Sequence, residues 1–154
     1  MSYNEQLQEL YRRYEKAGHV QPFTMHDLAA WAYDNELCQP QRSTIVNRLA
    51  EDFSRAMRAD FHIDPQGRHV RTKHVATFER GGKQFALWAD LRVATREHME
   101  RSFQQRRQGI VGDCRQLKTD VDSYNENQNQ GEAIQLILDF TDDMAEYEAL
   151  RAVA

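Results

Sequence analysis

The sequence predicts a mainly α protein with one small β-hairpin, ending in long C-terminal helices. Three observations predict it. Apolar residues recur at helical spacing through most of the chain, as in Ile45, Leu49, Phe53 and Met57. One basic stretch departs from that period and contains Arg80-Gly81-Gly82-Lys83, whose two glycines suit the positive φ angles of a tight hairpin turn. After Ala94, Phe103, Ile110, Leu117 and Tyr124 fall seven residues apart, the spacing of a coiled-coil seam. The 154 residues suffice for one domain of ordinary size or a small domain with an appendage. The expected division is 1–92 and 93–154.

The first helix is expected at Asn4–Ala17, where Leu7, Leu10, Tyr11 and Tyr14 share a face and Gly18 supplies the stop. Val20–Phe23 is a short extended link. Thr24-Met25-His26-Asp27 has the form of an N-terminal capping box with Asp replacing Glu or Gln. It opens a second helix packed by Leu28, Ala29, Trp31, Ala32 and Leu37. A short link from Asp34 to Pro40 leads to a third helix within Gln39–Asp60, and Pro40 suits a first turn because a missing N–H is harmless there. The opening turns carry Gln41, Arg42, Ser43, Thr44, Asn47 and Arg48, side-chain types that pair with base edges and phosphates. The acids, Glu51 and Asp52, come later. An ordinary amphipathic helix with a polar solvent face would carry the same pattern.

Phe61-His62-Ile63 leads to Asp64-Pro65-Gln66-Gly67, a turn by composition. Arg68–Glu79 is then expected as one strand, rich in Val, Thr and Phe, and Gln84–Leu91 as its partner. Pro65–Lys83 holds five basic residues, Arg68, Arg71, Lys73, Arg80 and Lys83, against one acid, Glu79. Three helices followed by a basic two-stranded hairpin, over about residues 1–92, resemble the winged helix-turn-helix family of DNA-binding domains. The likeness rests on element order and charge placement. It implies that the third helix enters the major groove, so that Gln41, Arg42, Ser43, Thr44, Asn47 and Arg48 contact double-stranded DNA. It also implies that Arg80 and Lys83 at the hairpin tip, with Arg68, Arg71 and Lys73 along its strand, hold phosphates. Some winged helices bind protein instead, so the resemblance alone does not specify DNA.

Thr95 opens a long polar helix. Cys114 and Val121 fall between the seam residues and complete the four-and-three step of a coiled coil. Gly109 and Gly112 each cost about 1 kcal/mol relative to Ala in a helix, yet the heptad spacing persists across them, and one continuous helix is expected. Asn125–Gly131 is expected as a loop and Glu132–Ala152 as the last helix. That helix would be apolar on more than one side and so needs more than one neighbour. A second copy of the chain meets the need. The expected homodimer interface is Phe103, Ile110, Cys114, Leu117, Val121, Tyr124, Ile134, Ile137, Leu138 and Phe140, with a fold-back onto the N-terminal domain as the rival. The acidic side of the same helix is a surface for a protein partner.

Residues 1–92 carry 13 Lys/Arg against 12 Asp/Glu, whereas residues 93–154 carry 7 against 12. Basic charge is concentrated in the middle and acid in the tail, which points to two jobs. There is no P-loop, Rossmann glycine pattern, HExxH or GxSxG, and no enzyme, cofactor or metal is expected. His69 and His74, five apart on a strand, face opposite ways and make no metal pair. Cys38 and Cys114 are expected as free thiols of a cytoplasmic protein, with no membrane span. The expected function is sequence-specific binding of double-stranded DNA as a homodimeric, nucleoid-associated transcriptional regulator. The alternative is a non-catalytic interaction module or accessory subunit.

Overall fold

The computed structural model describes residues 2–19 and 21–153, so Val20 of the expected link lies outside it. The chain forms two compact units, Met1–Ala56 and Met57–Ala154.

The first unit holds α1 (Tyr3–Lys16), α2 (Met25–Asp34) and all but the last turn of α3 (Arg42–Arg58). α1 starts at a capping box: the Glu5 N–H donates to Ser2 Oγ at 3.2 Å, and the Ser2 N–H to the Glu5 carboxylate at 2.6 Å. It stops at Gly18, whose φ of +90° is a glycine conformation. The box at Thr24 forms as expected, with the Asp27 N–H donating to Thr24 Oγ1 at 3.1 Å and the Thr24 hydroxyl donating to the Asp27 carboxylate at 2.6 Å. An aromatic cluster joins α1 to α2. Buried Tyr14 stacks on His19 with ring centroids 3.8 Å apart, and meets Phe23 and Trp31 edge-on at 4.8 and 5.2 Å. Ala32 is buried in the same unit. α3 buries no residue: Ile45, Leu49 and Phe53 of its stripe remain 50%, 53% and 67% exposed.

The second unit opens with β1 (Phe61–Ile63) and β2 (His69–Arg71), antiparallel around the Asp64–Gly67 turn. β3 (Lys73–Arg80) and β4 (Lys83–Asp90) form a second hairpin, in register from Lys73↔Asp90 to Arg80↔Lys83. Its turn has Gly81 and Gly82 at φ +58° and +75°, the two positive angles that a type I′ turn requires. The single long strand expected from Arg68 to Glu79 is therefore two strands of different hairpins. Buried Thr72 makes the break. Its N–H donates to the Asp60 carbonyl at 2.9 Å, its carbonyl accepts from the Leu91 N–H at 2.8 Å, and its hydroxyl meets the His62 ring at 2.9 Å. One residue thus closes the first hairpin and opens the second.

α4 (Arg96–Asn127) is capped by Thr95, whose Oγ1 accepts the His98 N–H at 3.2 Å. It runs unbroken through Gly109 and Gly112, as the persistent heptad predicts, and takes in the first three residues of the stretch expected as loop. Its first turns lie along β3. His98 Nε2–H donates to the His74 carbonyl at 3.0 Å, and Ser102 Oγ to the Val75 carbonyl at 2.6 Å. The Gln105 carboxamide accepts from the Thr77 N–H at 2.7 Å and donates to the Thr77 carbonyl at 2.9 Å. These bonds cross position 92 and bind the second hairpin to α4 within one unit.

The last helix is shorter than expected. α5 is Thr141–Val153, and Glu132–Phe140 is not helical. Asn125 and Asn129 account for the difference. The Asn125 side chain accepts from the Ile134 N–H at 2.9 Å and donates to the Ile134 carbonyl at 3.0 Å. Asn129 accepts from the Gly131 N–H at 2.9 Å and donates to the Glu132 carbonyl at 2.8 Å. Backbone groups held by side chains are withdrawn from helical pairing. Asp139 then accepts the Thr141 N–H at 3.1 Å and the Thr141 hydroxyl at 2.6 Å, and α5 begins. Ile134, Ile137, Leu138 and Phe140 consequently lie on a non-helical segment, not on a helical stripe.

Candidate nucleic-acid interface

The opening turns of α3 carry no acid, so their free N–H groups and the positive end of the helix dipole are uncompensated. Gln41, Arg42, Ser43, Asn47 and Arg48 are all exposed there. At about 100° per residue they do not share one face. Ser43 and Asn47 stand together on the side opposite the apolar stripe. Arg42 lies on the stripe side with Val46 and Leu49. Gln41 and Arg48 fall on a third side, where Arg48 Nε is 3.6 Å from the Asp52 carboxylate. Thr44 is half-buried and lines an apolar groove with Leu7, Tyr11 and Ala32 of α1 and α2.

The five basic residues expected on one wing divide among three places. Arg68 sits at the β1–β2 turn, its Nε 2.7 Å from the Asp64 carboxylate. That carboxyl is held below its ordinary range, first by the Arg68 N–H and then by the guanidinium. Lys73 donates to Asp90 at 3.0 Å, at the base of the second hairpin. Arg80 and Lys83 flank the hairpin tip, exposed and without a carboxylate partner among the described residues. Arg71 is half-buried beside Lys73, both lining a groove of about 380 Å³ between β3 and α4.

That groove brings together two residues the sequence reading missed, Arg58 from the last turn of α3 and Arg106 from α4. The Arg58 guanidinium lies over the Trp88 ring, 5.4 Å from its centroid. Burial, then the positive charges of Arg106 and Arg58, push the Arg71 guanidinium below its ordinary pKa. A sequence signal existed: neither Arg58 nor Arg106 has an acid three or four residues away on either side, so neither has a helical ion-pair partner.

Among the described residues no three His, Cys, Asp or Glu side chains gather as a metal site needs, and no helix is long and apolar enough to cross a membrane. The seam of α4 is open, with Phe103, Ile110, Leu117 and Tyr124 each about half exposed and Cys114 and Val121 partly covered. No protein-family model, curated protein or solved structure matches the chain.

Proposed function

We propose that the protein binds double-stranded DNA in a sequence-specific manner as a homodimer and acts as a transcriptional regulator of winged helix-turn-helix type. The observation that carries this reading is the pairing of exposed Ser43 and Asn47 on the acid-free opening turns of α3. Asn is suited to the N6 and N7 edge of adenine, and Ser accepts or donates at either base type. The helix N-terminus and Arg42 favour phosphate oxygens alongside. Arg80 and Lys83, exposed at a hairpin tip, supply backbone contacts whose strength falls with salt. The open seam of α4 supports the dimer, and two-fold symmetry calls for a palindromic site with half-sites about one helical turn apart or a multiple of it.

Selection of bound sequences from a random duplex pool, followed by a salt titration, tests the reading. An enriched palindrome is expected. Asn47→Ala should weaken binding to it by about 1–3 kcal/mol while leaving binding to unrelated duplex unchanged. Arg80→Ala with Lys83→Ala should instead weaken all duplexes and lower the salt slope by about two. A pool that yields no enriched sequence removes this function.

The second reading is a non-catalytic interaction module in a larger assembly, and one observation favours it. The stripe of α3, Ile45, Leu49 and Phe53, lies open on the same helix as the polar residues, where a protein surface would cover it better than a duplex.

A further inference from the structure

The groove between β3 and α4 is lined by the cations Arg58, Arg71, Lys73 and Arg106, and the Ser102, Gln105 and His74 side chains along it are already engaged. Ser102 and Gln105 bond the backbone of Val75 and Thr77. His74 Nε2–H donates to the Arg71 carbonyl at 2.9 Å, and Lys73 is tied to Asp90. The charged donors of the lining that remain without an ion-pair partner are those of Arg58, Arg71 and Arg106. None has a carboxylate partner among the described residues. They come from three different elements, α3, β2 and α4, so no local helical or strand spacing makes them neighbours. One carboxylate, Asp113, also lines the groove but pairs with none of them.

Like charges converging in a concave, partly buried place repel, and an anion with several acceptor oxygens removes the repulsion. Guanidinium groups match phosphate geometry through paired N–H donors, and a volume of about 380 Å³ admits a phosphate with part of what it is attached to. We propose that this groove is a phosphate-binding site in which Arg58, Arg71 and Arg106 hold the phosphate oxygens and Asp113 limits the affinity. The phosphate belongs either to a small phosphate ester such as a nucleotide or to a nucleic-acid backbone. The site is independent of the contacts made by Ser43 and Asn47.

Isothermal titration of the full chain with pyrophosphate, ATP, adenosine and a short duplex tests the site. Saturable binding is expected from pyrophosphate and from ATP or the duplex, and none from adenosine, which lacks the phosphate. Arg106→Ala, at an exposed position, should weaken pyrophosphate binding about tenfold or more, as loss of a charge-assisted contact does. Asp113→Asn should tighten it several-fold, a change that damage to the fold would not produce. Competition between ATP and pyrophosphate that the duplex does not share identifies a small ester. Displacement of pyrophosphate by the duplex, weakened in Arg106→Ala, identifies a backbone phosphate. Absence of saturable binding by any phosphate probe overturns the proposal, as does unchanged affinity in Arg106→Ala and Asp113→Asn. The Asn47→Ala outcome on selected DNA is read separately, so failure of one proposal does not count against the other.

Discussion

At the scale of single residues, Asp90 does the most joining. Its carboxylate accepts from Lys73 Nζ at 3.0 Å, from Arg92 Nε and Nη2 at 3.0 and 2.8 Å, and from the Arg92 N–H at 2.9 Å. It thereby ties the start of β3, the end of β4 and the turn into α4. The Arg92 side chain first, then the Arg92 N–H, then Lys73 hold its carboxyl far below the ordinary 3.8. A carboxyl with a depressed folded-state pKa contributes stability above its unfolded value, and that contribution is lost as pH falls through and below that value. Asp90→Asn is therefore expected to lower the melting temperature at pH 7. The gap to the native chain should start to close below about pH 5 and shrink steadily toward pH 2. Glu5, Glu9, Asp27, Asp64 and Asp139 are shifted in the same direction, so the native chain itself should lose stability over that range. Melting curves for both chains at unit pH steps check this, and a gap that stays constant with pH contradicts it.

At the scale of elements, the contact between α4 and β3 replaces a missing strand. The free edge of β3 presents the N–H and carbonyl of Thr77, and the Gln105 carboxamide satisfies both, as a neighbouring strand would. Gln105→Leu would leave two partly buried backbone groups unpaired, and is expected to cost about 1–3 kcal/mol in urea unfolding. Gln105→Glu keeps the acceptor but loses the donor, and should fall between the two chains. Equal stability of all three would show that water takes over the role of Gln105. The elements that were legible in the sequence have local causes. Thr24 and Asp27 cap α2 within one turn, and Gly81 and Gly82 make their hairpin without help from elsewhere. The break at Thr72 was not legible, because it depends on Asp60 and Leu91, which lie twelve and nineteen residues away. Glu132–Phe140 has a helix-like apolar pattern, and the bonds from Asn125 and Asn129 that prevent the helix leave no mark on that pattern.

At the scale of the whole molecule, the chain exposes more surface than two compact bodies of its length would. Two separate compact bodies of 56 and 98 residues would expose about 9,700 Å² together, whereas the chain exposes 13058 Å². Among the described residues few apolar side chains are buried, Tyr14 and Ala32 in the first unit and Ala76 in the second. The candidate contacts were legible only where they are sequential: Ser43 and Asn47 share a face because they are four apart, while Arg58, Arg71 and Arg106 meet through the fold. The seam of α4 belongs to the legible kind, since Phe103, Ile110, Leu117 and Tyr124 keep heptad spacing along one continuous helix. The excess surface exceeds one partner's share of a large obligate interface, which is about 1,000–2,500 Å². Sedimentation equilibrium of the native chain is therefore expected to give twice the 18.1 kDa chain mass. Leu117→Lys places a charge in the middle of the seam, where an apolar contact is replaced by a desolvated ammonium. It should shift the protein toward monomer and raise the dissociation constant at least tenfold, while Lys118→Ala on the neighbouring solvent side should not. A native chain that sediments as a monomer at micromolar concentration, or a Leu117→Lys chain that dimerises as the native one does, would place the partner of this seam outside the homodimer and shift the weight to the interaction module.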